Sequence, residues 1–136
     1  MKGMDQGFTL IELLVVLVIL GLLAALVGPS VLRQGEKAKP KTARVQIENL
    51  AAALDIFKLD VGRYPDQNEG LEALREPPTG LANWDGPYLE KTVPKDPWNR
   101  PYVYNSAGNQ FEIVSYGADG GPGGTGLDAD IKSTDN

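Results

Sequence analysis

Neither cysteine nor histidine occurs in these 136 residues. Their absence excludes disulfides, thiol nucleophiles, imidazole bases, a Ser-His-Asp triad and any zinc site built from Cys and His. Basic charge is scarce where most of the chain lies. Residues 59–136 hold six Lys and Arg against thirteen Asp and Glu, whereas residues 1–58 hold seven against five. The basic residues Arg33, Lys37, Lys39, Lys41 and Arg44 form a short stretch beside an apolar run, with no aromatic residue interleaved. That pattern argues against nucleic-acid binding and reads as a solvated or headgroup-facing helix surface.

The chain does carry 16 glycines, 10 prolines and one long apolar segment. Its length suits a single small domain. From Phe8 to Gly28 the only polar side chains are Thr9 and Glu12. These 21 residues make a helix of about 31 Å, which matches a hydrocarbon core of about 30 Å. A secretory signal peptide fits less well. Its positive region would be Lys2 alone, opposed by Asp5, and Ala24-Ala25 offers only a faint cleavage site. The expected organisation is therefore an apolar membrane helix over 8–28, followed by a small, loop-rich body over 29–136.

Glu12 is the anomaly of the apolar run. A carboxylate near the bilayer centre costs roughly 2.5–3.5 kcal/mol on insertion scales. Near one end of the helix, Glu12 either reaches the interface or has a cationic partner. A cut just before Phe8 would supply such a partner, an α-amine four residues away. The segment Gly7-Phe8-Thr9-Leu10-Ile11-Glu12-Leu13 resembles the processing site of type IV pilins and pseudopilins. The resemblance implies a leader at residues 1–7, cleavage by a prepilin peptidase after Gly7, N-methylation of Phe8, and Glu12 as the carboxylate that aligns subunits. It also implies a body outside the inner membrane. The Lys/Arg density after the helix, read alone by the positive-inside rule, would place that body in the cytoplasm.

Gly28-Pro29 and Pro40 mark points where a kink or local melting of the helix is expected. Beyond Pro40, Ile47, Leu50, Leu54, Phe57 and Val61 recur at three- and four-residue intervals, so an amphipathic helix lays an apolar stripe on a core. Gly62 is its expected C-cap. Asn68–Leu74 reads as one short helix ended by Pro77-Pro78. Tyr102–Tyr104 and Phe111–Tyr116 read as strands around a turn at Ser106–Asn109. The expected fold class is α+β, a long N-terminal helix packed on a small antiparallel sheet. Gly62-Arg63-Tyr64-Pro65, Gly70-Leu71-Glu72-Ala73-Leu74 and Asp96-Pro97-Trp98-Asn99-Arg100-Pro101-Tyr102 resemble the body of the major pseudopilins of type II secretion, the G subunits. The lack of cysteine favours these over ordinary type IV pilins. Asn99 departs from that family, which commonly has Gly after the Trp, but Asn tolerates a left-handed backbone better than most residues.

Six of the ten residues from Gly117 to Gly126 are glycine, bracketed by Asp119, Asp128 and Asp130. Such a loop loses much entropy on ordering, so something must hold it. Carboxylates with pliable backbone carbonyls suit Ca²⁺ better than Mg²⁺, which demands tighter octahedral geometry. An EF-hand is excluded. With Asp119 in the first position, the third and fifth fall on Gly121 and Gly123, and no helical segment flanks the loop. A phosphate-binding loop fails because no Lys and Ser follow in the required spacing. Composition also leaves open a disordered acidic tail. The resemblance implies calcium in this loop, with side chains from Asp119, Asp128 and Asp130 and carbonyls near Tyr116 and Thr125. The tail Lys132–Asn136 departs from the family in having no aromatic residue, which bears on the packing behind the loop.

The resemblance implies a structural role, a helical homopolymer assembled with minor pseudopilins on an inner-membrane platform. A cytoplasmic ATPase would power it, and it would drive folded proteins through an outer-membrane secretin. Two other readings are a subunit of another type IV filament and a membrane-anchored enzyme using Glu90, Asp96 or Glu112. The enzyme reading has no recognisable partner motif for any of those carboxylates.

Overall fold

The computed structural model of the chain describes residues 7–135. Residues 1–6 of the expected leader lie outside the described residues. Two compact units divide between Glu36 and Lys37, whereas the hydropathy boundary falls at Gly28. One helix, α1 (Leu10–Val61), belongs to both.

In the first unit the helix is apolar on all sides from Leu13 to Val27, and every residue of that stretch is exposed. Leu10 is 85% exposed and Leu26 79%. Its most apolar window has a mean hydropathy of 3.1, and the helix is long and apolar enough to cross a membrane. The helix begins on a side-chain cap. Thr9 Oγ1 accepts the Glu12 amide at 3.0 Å, satisfying a donor that has no partner inside the helix.

The local melting expected as one outcome at Gly28-Pro29 and Pro40 does not occur, since α1 runs through both prolines without a break. Each proline subtracts one ladder hydrogen bond and leaves the turns on either side intact. At Pro29 the preceding residue is Gly28, which has no Cβ to meet the ring.

The second unit holds the core. Ala43, Ile47, Leu50, Ala53, Leu54 and Phe57 bury one stripe of α1, with Val61 half-buried beside them. This is the expected stripe extended by two alanines. Their small side chains carry little hydropathic signal but let the helix approach its neighbours closely. Gly62 ends the helix at φ 94°, and its N–H returns to Lys58 O at 2.8 Å, the bond of a left-handed C-terminal cap.

The stripe packs on Leu71, Ala73 and Leu74 and on Tyr102, Tyr104, Ile113 and Ile131 of the sheet side. The short helix is shorter than expected. It is a 3₁₀ turn over Leu71–Leu74, because Gly70 at φ 61° and ψ −164° is not helical and the turn can only start after it.

The sheet has three antiparallel strands in the order β1 (Val103–Ala107), β2 (Gln110–Ser115) and β3 (Ile131–Lys132). The β1–β2 turn is tighter than expected. Ala107 pairs with Gln110 across Gly108-Asn109, with positive φ at Gly108 alone, a two-residue hairpin loop. The α+β architecture is the one expected, with β3 added. The tail also finds partners there. Ser133 N–H donates to Ile113 O at 2.8 Å, Ser133 Oγ accepts the Ile113 amide at 2.9 Å, and Thr134 Oγ donates to Glu112 at 3.1 Å. Main-chain pairing and two hydroxyls tie down a tail that has no aromatic anchor.

Candidate functional site

Gly7, Phe8 and Thr9 precede the helix outside any helix or strand, and Phe8 is 81% exposed. Cleavage after Gly7 would need backbone that a protease can draw into extended form, and here it lies outside any hydrogen-bonded element. Glu12 is exposed in the first turn of α1. Its own amide is capped by Thr9 Oγ1. Thr9 is a functional residue that sequence reasoning passed over, although Thr-x-x-Glu ahead of an apolar run is a recognisable helix-start signal.

The second candidate is the glycine–aspartate loop. Its entry and exit lie against each other. Ala118 N–H donates to Leu127 O at 2.9 Å. A Cβ on Gly117 would stand 2.7 Å from Ala129 O, and one on Gly124 would stand 2.6 Å from Asp128 O. Only glycine permits both approaches, and both residues have positive φ.

Asp119 is exposed and Asp119 Oδ1 accepts the Gly121 amide at 3.2 Å. Asp128 is exposed in the 3₁₀ turn Gly126–Asp128. Tyr116 is half-buried, Thr125 is exposed, and Thr125 O accepts the Asp128 amide at 3.1 Å. Asp130 is half-buried and its Oδ2 accepts the Gly123 amide at 3.0 Å. Asp130 Oδ1 is buried and has no hydrogen-bond partner.

Among the described residues, no three His, Cys, Asp or Glu side chains converge as a metal set. The three aspartates therefore do not meet as one carboxylate cluster. What the loop does offer is an oxygen-only donor set, close-packed glycine backbone, and one buried carboxylate oxygen without a donor. A buried, unpaired anionic oxygen is costly, and a hard cation removes that cost. The residues present fit Ca²⁺ on this ground.

The turn before the sheet underlies the loop. Asp96 is 4% exposed. Asp96 Oδ1 accepts the Trp98 amide at 3.1 Å and the Arg100 amide at 2.8 Å, and Oδ2 accepts the Ser115 hydroxyl at 2.9 Å. Asn99 stands at φ 65°, as its tolerance for a left-handed backbone anticipated. From this turn Arg100 reaches the loop. Its Nη1 donates to Gly117 O at 3.1 Å and Ala118 O at 3.2 Å. Arg100 escaped sequence reasoning because an isolated arginine beside a turn has no pattern. Nearby, Tyr102 is buried in the core and its hydroxyl donates to Gln46; burial, with a lesser contribution from the Asp96 charge, pushes its ionisation well above the ordinary phenolic range.

The carboxylates weighed for catalysis do not gather. Asp96 is saturated by the turn, Glu112 accepts from Thr134, and Glu90 is exposed.

Comparisons with known proteins agree with this division of the chain. The family model described as type II secretion system (T2SS), protein G, matches residues 30–134. A second, described as the prokaryotic N-terminal methylation motif, matches residues 2–28. The type II secretion system core protein G of Pseudomonas aeruginosa is 49% identical over 99% of both chains. That of Vibrio cholerae is 46% identical over 96% of this chain and 94% of its own. Among solved structures, the major pseudopilin of the type 2 secretion system of enterohaemorrhagic Escherichia coli superposes with a TM-score of 0.59. It is 31% identical and covers 75% of this chain and 91% of its own.

Proposed function

The chain belongs to the protein G family of the type II secretion system, and from that premise we propose that it is the polymer-forming structural subunit of the secretion pseudopilus. The observation that carries this reading is α1 itself. From Leu13 to Val27 it is apolar on every side and exposed, and its second half is the spine of a packed body. A helix of the first kind is soluble only in lipid or against other such helices. A subunit held in the inner membrane and then transferred to a filament meets both environments in turn.

In this reading residues 1–7 are a leader, removed after Gly7 by the prepilin peptidase, and Phe8 becomes an N-methylated terminus. Residues 8–28 anchor the subunit and later line the filament, and residues 29–136 lie in the periplasm. Glu12 pairs with the Phe8 amine of a neighbouring subunit, which gives the carboxylate a cation in an apolar setting. Minor pseudopilins, the inner-membrane platform with its cytoplasmic ATPase, and the outer-membrane secretin complete the machine. The role is structural. The body's buried carboxylate, Asp96, holds a turn together.

Calcium is the proposed cofactor of the glycine–aspartate loop. When bound it supplies a divalent charge that oxygen atoms from two ends of a flexible loop can share. Asp130 Oδ1 is the first ligand by its burial without a partner. Asp119 and Asp128, with carbonyls near Tyr116 and Thr125, complete the proposed set. An exported fold without disulfides gains stability from any ligand that binds only its native form.

Mass spectrometry of the chain purified from membranes tests the class directly. The expected amino terminus is N-methylated Phe8. A terminus near Ala25, or an uncut chain, would overturn the reading.

A further inference from the structure

Arg100, Gly117, Ser115 and Asp96 close a polar ring. Asp96 takes the Arg100 amide at 2.8 Å on one oxygen and the Ser115 hydroxyl at 2.9 Å on the other. Ser115 Oγ in turn accepts the Gly117 amide at 3.4 Å. Arg100 Nη1 closes the ring on Gly117 O at 3.1 Å and also takes Ala118 O at 3.2 Å. Gly117 is thus held at both its N–H and its C=O. The guanidinium also lies against the next turn of the loop, where a Cβ on Gly120 would stand 2.6 Å from its Nε and Cζ. Arg100 therefore touches three successive stations of the loop entry, and Ala118 N–H passes that order on to the exit at Leu127 O.

We propose that Arg100 is the positioning residue of the glycine–aspartate loop, holding its entry in the native path before any metal binds. This rests on the calcium reading for its consequence but not for its geometry. The loop's glycines make ordering expensive. If the entry is already fixed, calcium binding has less of the loop left to order. Arg100 also donates to the Gly117 and Ala118 carbonyls and so ties both to the scaffold.

Coulomb's law gives the opposite expectation. A cation beside a divalent site repels the metal, so removing it should tighten binding. The two accounts differ in sign, which makes the test sharp. The full chain in detergent micelles is titrated with Ca²⁺ alone and melted with excess calcium and with excess chelator. Amide exchange is followed in chelator. Arg100→Ala is expected to weaken calcium affinity on the order of 10-fold, the scale seen for residues that orient metal ligands. It should shrink the rise in melting temperature that calcium produces and remove protection from the Ala118 amide while Ile113 in β2 stays protected. Arg100→Lys, which keeps charge and one donor but loses the planar fork, should recover part of both.

Affinity equal to or tighter than that of the unaltered chain overturns the proposal. So does an equal fall in melting temperature with and without calcium, which would mean a merely structural role. Should the unaltered chain melt identically with calcium and chelator, the calcium reading fails on its own. Exchange at Ala118 then still decides whether Arg100 holds the loop: loss of protection in Arg100→Ala supports it and unchanged protection overturns it.

Discussion

Glu69 shows how single residues hold a loop-rich body together. Its Oε1 accepts from Arg63 Nη1 at 2.6 Å and from the Asp66 amide at 2.8 Å, and its Oε2 accepts from Arg63 Nη2 at 3.1 Å. Asp66 Oδ1 accepts the Glu69 amide in return at 2.8 Å. The Arg63 hydrogen bond holds the Glu69 carboxyl below its ordinary range, against the opposing effect of partial burial. A carboxyl depressed in the folded state contributes stability that is full above its unfolded pKa of about 4.3 and is lost as pH falls through the lower folded value. Glu69→Gln should therefore melt at a lower temperature at neutral pH, a loss of about 1 kcal/mol for a partly exposed charged bond. The gap should close as the pH is lowered below the carboxyl range. A gap independent of pH would show that packing, not charge, is lost. At this scale the sequence is legible where a residue type answers a backbone need, as Asn99 does at φ 65°. Arg100 and Ser115 are not legible, because their partners lie on other elements and nothing local selects them.

Among the elements, α1 was the easiest to read because burial repeats at its own period. Ile47, Leu50, Leu54 and Phe57 are at most 2% exposed. The 3₁₀ turn and the hairpin loop were misjudged by two or three residues, since one positive-φ glycine in each, Gly70 and Gly108, sets the boundary. The strand β3 was missed because two residues carry no alternation. Nor does any pattern announce what covers the free edge of β1. Gln67 does so with its side-chain amide. Its Nε2 donates to Tyr104 O at 2.7 Å and its Oε1 accepts the Ser106 amide at 2.8 Å, the two bonds a further strand would make. An uncovered edge invites pairing with another chain. Gln67→Ala should cost about 1 kcal/mol in thermal or denaturant unfolding and raise the sedimenting fraction during partial unfolding. Gln67→Glu, which keeps only the acceptor, should fall between. Unchanged sedimentation in Gln67→Ala would mean that the edge is protected by other means.

For the whole molecule, the two halves of the chain answer different solvents. The acidic body, with thirteen Asp and Glu against six Lys and Arg over residues 59–136, is a water-facing object that repels its own kind at distance. The helix from Leu10 is the reverse, and on the proposed reading the polymer forms through it. Lipid tails give apolar helices no reason to prefer one another over the membrane. On the proposed reading, register and direction in the filament are set by the Glu12 carboxylate within the apolar run. Thr9 Oγ1 accepts the Glu12 amide at 3.0 Å, so cap and assembly are tested separately by mutation. Glu12→Ala is expected to abolish filaments while membrane insertion and the melting of the body stay unchanged. Glu12→Gln should fail as well, because a neutral amide of the same shape cannot pair with an ammonium group. Thr9→Ala should keep filaments and loosen only the helix start, by about 1 kcal/mol. Electron microscopy of membranes overexpressing each variant reads the outcome. Ordinary filaments from Glu12→Ala would show that the apolar surface alone sets the register.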